Sequence, residues 1–125
     1  MEKATYLTIS SGVLFIHGLI EILAISMFIL PPDLIPVSLS DDAAFWGIIG
    51  ALYGLFRIAS SYLITKKQLA GVILGIIISI VTLIVAPQIH PFGLLDLPLA
   101  MIVLWALVTF WFGDEVTERI PGIVN

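Results

Sequence analysis

The sequence predicts an all-α integral membrane protein, a four-helix bundle of four transmembrane helices with both termini cytoplasmic. Three observations lead there. The composition is 60% hydrophobic and 11% charged, against about 45–50% and about 25% in soluble domains. A chain of 125 residues makes one domain, whose interior is too small to hide that much apolar surface from water. The apolar residues also fall into four long runs. Finally, the lysines and arginines outside those runs would all lie on one side of a membrane crossed four times.

A spanning helix needs about 20 mostly apolar residues. Span one covers about 6–30 and stops at Pro31-Pro32, which cannot continue a helix. It is too long for the apolar region of a cleaved leader, and it carries Glu21. Span two covers about 43–65, with Asp41 and Asp42 at the positive end of its dipole. Span three covers about 68–86 and is stopped by Pro87. Span four ends near Phe112. It starts either at Pro91 or at Asp96 with Pro98 in the first turn. The later start gives a short span, so 91–112 is preferred. The whole chain, 1–125, is then a single transmembrane domain. Continuous apolar runs argue against spanning strands, which would alternate.

Lys3 precedes span one, Lys66 and Lys67 join spans two and three, and Arg119 follows span four. The other two loops hold no Lys or Arg. The positive-inside rule therefore places both termini and the Lys66-Lys67 turn in the cytoplasm of a multi-pass cell-membrane protein. Small residues recur at four-residue spacing: Gly50 and Gly54 in span two, and Gly71, Gly75 and Ser79 in span three. Such ridges let helix backbones approach closely, and a hairpin of spans two and three packed along them is expected. Phe45, Trp46, Trp111 and Phe112 stand where an interfacial aromatic belt is expected.

Three ionisable residues lie deep within the spans: His17 and Glu21 in span one and Arg57 in span two. A charge at a span's centre costs roughly 2.5–3.5 kcal/mol on insertion scales, so each must turn inward and find a partner. His17 and Glu21 are four apart and share a helix face. With Tyr53 they and Arg57 form the expected polar cluster between spans one and two. It is read either as a lock on helix register or as a site for a proton, ion or polar head group.

Other chemistry has less support. The net charge is −4 without a basic patch, which argues against nucleic acid. With no cysteine, disulfides, thiolate nucleophiles and iron–sulfur clusters are excluded. His90 lies in a loop at a depth unlike that of His17, so no haem or other cofactor is expected. Asp33, Asp41, Asp42, His90 and Asp96 lack ligand spacing and read as loop and capping residues, so no metal site is expected. No hydrolase, zincin, phosphate-loop or CxxC motif occurs, which weighs against an enzyme.

The leading expectation is an accessory or structural subunit of a homo- or hetero-oligomeric membrane assembly. Its partners are then the lipid bilayer and either further copies of the chain or other membrane subunits. The alternative is a small oligomeric transporter or channel using the His17–Glu21–Arg57 cluster. A second alternative is a membrane protein that binds or isomerises a lipid-like ligand.

Overall fold

The computed structural model describes residues 3–23, 31–34, 43–88 and 92–112. Within them the chain is all-helical: α1 (Lys3–Ile22), α2 (Ala43–Thr65), α3 (Leu69–Val85) and α4 (Asp96–Phe112). Three of these, α1, α2 and the stretch Leu69–Gln88, are long and apolar enough to cross a membrane. The 17 residues of α4 rise only about 26 Å at 1.5 Å each. The expected continuation of the first span over 24–30 lies outside the described residues, as do Asp41, Asp42, His90 and Arg119.

The start of α4 corrects the preferred sequence reading. The helix begins at Asp96, not Pro91, behind a 3-10 turn over Phe92–Leu95. Pro98 accounts for the difference. Its missing N–H is harmless only in the first turn, where no intrahelical acceptor exists. A start at Pro91 would put it two turns in.

The turn between α2 and α3 is set by backbone hydrogen bonds. Lys67 adopts φ 56°; its N–H reaches the Ile64 carbonyl at 2.9 Å, and that of Gln68 reaches Leu63 at 2.9 Å. These paired bonds around a left-handed residue form a Schellman cap. The chain then reverses at once into α3.

The helices pack in a ring, each against the next, with α4 closing on α1. One apolar cluster fills the interior: Leu7 and Leu14 from α1, Ile64 from α2, Val72 and Ile78 from α3, and Val103, Leu107 and Phe110 from α4. The small residues work differently from the expected ridge. Gly54 faces α1, not α3: a Cβ there would stand 2.7 Å from the Gly18 carbonyl oxygen. Gly71 does meet α2, where a Cβ would come within 2.6 Å of the Ile64 nitrogen. A Cβ on Gly75 would strike Leu107 Cδ1 at 2.7 Å and Ser60 Oγ at 2.9 Å, so Gly75 sits where α2, α3 and α4 converge. Gly50 is half-buried.

Polar and apolar residues are distributed the reverse of a water-soluble bundle. Ser10, His17, Arg57, Ser60, Ser61, Ser79 and Thr82 are buried. Large apolar side chains such as Phe15, Ile20, Phe56, Ile77, Ile84, Trp105 and Phe112 are exposed. The inner face of α2 is especially polar. Its Ser60 donates to the Gly71 carbonyl at 2.7 Å, and its Ser61 to the Ser11 carbonyl at 2.8 Å. These bonds tie α2 to both neighbours.

Candidate functional site

The site lies at the end of the bundle where α1 finishes and α4 begins. Helix geometry puts His17 and Glu21 on adjacent turns of one face of α1. The contact between Gly18 and Gly54 brings the backbones of α1 and α2 together. The two helices run antiparallel, so Glu21 and Arg57, each three residues beyond its glycine, lie on opposite sides of the crossing, and the long Arg57 side chain reaches back across it to Glu21.

Arg57 grips Glu21 with both arms of its guanidinium. Its Nε donates to Oε2 at 2.9 Å and its Nη2 to Oε1 at 2.9 Å. Such bidentate pairs are the strongest kind of charge-assisted hydrogen bond in proteins. Nη2 also donates to the hydroxyl oxygen of Thr82 on α3. The Thr82 hydroxyl proton goes to the Ile78 carbonyl at 2.7 Å, which leaves its oxygen free to accept. The guanidinium is 1% exposed and spans from α1 to α3.

His17 faces two carboxylates with one nitrogen. Its Nε2 lies 3.0 Å from Oδ1 of Asp96, the first residue of α4, and 3.3 Å from Oε1 of Glu21. The ring is fully buried, Glu21 is 13% exposed and Asp96 is 33% exposed. Exposure therefore increases from the histidine towards Asp96, on the bundle's rim. All four helices supply a member: His17 and Glu21, Arg57, Thr82, and Asp96.

Three of the four residues expected in the cluster come together: His17, Glu21 and Arg57. Tyr53 does not join them. It is partly buried against the apolar core, and among the described residues its hydroxyl bonds to no cluster member. Asp96 and Thr82 were not anticipated as members. The up-and-down topology puts the end of α1 and the start of α4 at one end of the bundle, but it takes the closure of α4 on α1 to bring Asp96 to His17. Thr82 carried no comparable signal. Asp33, grouped with Asp96 in sequence, lies in an exposed 3-10 turn over Pro32–Leu34.

Two features define what the arrangement can do. Arg57 supplies one positive charge against the two carboxylates of Glu21 and Asp96, so with His17 neutral the formal charge is −1. The other is incomplete satisfaction: His17 Nδ1, Arg57 Nη1 and Ser79 Oγ are buried without a hydrogen-bond partner among the described residues. Ligand atoms of His17, Glu21 and Asp96 lie within 4.8 Å of one another, close enough to share one cation. Together the fold and site describe a helical bundle with an apolar exterior and, at one end, a largely buried polar cluster of two carboxylates, one guanidinium and one imidazole. Comparison of the chain with family models, curated proteins and solved structures gives no match.

Proposed function

We propose that the chain is a multi-pass membrane protein that binds a cation between its helices and moves it as a small transporter or channel built from several copies. The observation that carries this reading is a cluster drawn from all four helices in which His17 Nε2 and carboxylate oxygens of Glu21 and Asp96 converge within 4.8 Å, two carboxylates against the one guanidinium of Arg57. Uncompensated charge away from water is costly, and a bound cation offsets it. The apolar exterior supports a bilayer setting, where such surface faces lipid without penalty. The lysine distribution supports cytoplasmic termini, which turns the cluster end outward. Four helices enclose little space, hence several copies.

The test is reconstitution into liposomes with dyes reporting protons, alkali cations or divalent cations. Wild-type vesicles pass at least one of these faster than empty ones, and Glu21→Gln and Asp96→Asn lower that flux at least tenfold. No flux above empty vesicles for any cation overturns the proposal.

One observation favours a second reading, that of an accessory subunit. The bidentate Arg57–Glu21 pair also suits a lock on helix register, with the exposed apolar face of α4 meeting other polypeptides. Gentle extraction followed by native mass spectrometry decides it: fixed stoichiometry with other chains supports a subunit, and homo-oligomers alone support the transporter.

A further inference from the structure

The proposed cation site has a donor set that narrows the ion. We infer that His17 Nε2, a Glu21 carboxylate oxygen and an Asp96 carboxylate oxygen form a binding site for a divalent first-row transition metal ion of the zinc, manganese or iron(II) kind. The inference rests on the cation-binding reading and names its substrate class.

Geometry comes first. A tetrahedral metal with bonds of about 2.0–2.1 Å holds neighbouring ligand atoms about 3.3 Å apart, and an octahedral one about 3.0 Å apart. Nε2 stands 3.3 Å from Glu21 Oε1 and 3.0 Å from Asp96 Oδ1. Both distances from the imidazole nitrogen are thus at ligand spacing, and all three atoms lie within 4.8 Å of one another. A single N–H on Nε2 cannot point well at both oxygens, whereas a metal ion set between the three atoms would use the lone pair of Nε2 and one oxygen of each carboxylate.

Donor chemistry comes next. One imidazole with two carboxylates suits zinc, manganese and iron(II). Magnesium and calcium prefer all-oxygen shells, and copper(I) prefers the thiolates and thioethers that this cluster lacks. The surroundings resemble an outer shell that fixes ligands. Arg57 bonds both oxygens of Glu21. Such partners orient ligating carboxylates in metal centres. Asp96, the partly exposed member, leaves room for water to complete the coordination. A divalent ion turns the formal charge of −1 into +1, and loss of one proton from a metal-bound water returns it to zero. His17 Nδ1 stays buried and unpartnered, and in the metal-bound state it carries the imidazole proton.

The experiment is titration of the purified full chain in detergent with cobalt(II), a spectroscopic stand-in for zinc. It is followed by visible absorption and backed by calorimetry with zinc itself. The expected result is one site per chain and ligand-field bands distinct from the aqueous ion. Asp96→Asn should weaken binding at least tenfold while circular dichroism and melting temperature hold, since Asn keeps the side-chain shape and an oxygen that can accept from the His17 ring. His17→Ala should abolish the bands. Should His17→Ala not fold, Asp96→Asn alone decides. Spectra identical to the aqueous ion, or binding unchanged by Asp96→Asn, overturn the inference. Liposome flux of protons or alkali cations without metal binding refutes the metal site and leaves the broader proposal standing. The absence of both refutes both.

Discussion

Arg57 is the residue on which the interior depends, because its guanidinium has lost nearly all contact with solvent and bonds α1 and α3 together. Removing one partner of a buried pair leaves the other charge uncompensated, typically costing about 3–5 kcal/mol, while replacing both by apolar groups is far milder. Arg57→Met and Glu21→Met should therefore each destabilise strongly, and the double variant should recover much of the loss. Thermal unfolding in detergent micelles measures all three, and additive losses would refute the coupling. Thr82→Val should cost about 1–3 kcal/mol, since it strips an acceptor from a buried charged donor. This part of the site was legible in the sequence, because ionisable residues in apolar helices must find partners and only three such residues lie deep in the runs. Asp96 was not, because a carboxylate at a helix start is already explained by capping and the dipole. Seventy-nine residues separate it from His17, and only the closure of α4 on α1 joins them.

At the scale of the element, the α1–α2 crossing is the structural decision that creates the site. A Cβ on Gly18 would lie 2.8 Å from the Gly54 carbonyl oxygen, and one on Gly54 would lie 3.0 Å from the Ile22 nitrogen. These neighbours are backbone atoms and cannot swing aside. Gly18→Ala and Gly54→Ala should each push the helices apart and destabilise by about 1–3 kcal/mol, the usual cost of overpacking. Because Glu21 and Arg57 follow one turn later, either change should also lower cation flux. Gly12 provides the control: nothing lies within 4 Å of a Cβ there. Gly12→Ala should stabilise α1 by up to about 1 kcal/mol through helix propensity alone. Melting temperatures that fall for Gly12→Ala, or hold for Gly54→Ala, would contradict this account. Helix positions were largely readable from apolar runs and prolines. The partner of each glycine was not: four-residue spacing marks a face that accepts close approach without saying which helix approaches. Gly54 thus packs on Gly18, although its spacing matched that of Gly71 and Gly75 equally well.

At the scale of the whole molecule, the cluster has an outside only if the bundle has an orientation. The turn over Pro32–Leu34 belongs to the connection between the end of α1 and the start of α2, whereas the Lys66-Lys67 turn joins α2 to α3 at the opposite end of α2. Lysines and arginines flanking apolar helices are retained on the cytoplasmic side, so the two turns should face different compartments. The absence of cysteine makes the prediction simple to test. A single cysteine introduced by Asp33→Cys or Lys66→Cys is the only thiol in the chain, and both parent side chains are exposed. In intact cells, a membrane-impermeant maleimide should label Asp33→Cys and spare Lys66→Cys until the membrane is opened. The reverse pattern would turn the Asp96 rim towards the cytoplasm and make the cluster a site filled from within. Labelling of both in intact cells would mean that α2 does not cross or that copies insert in both orientations, and either would contradict the expected topology. The expected pattern directs the rim outward, so that a cation arriving from outside meets the partly exposed Asp96 carboxylate first and the buried His17 last.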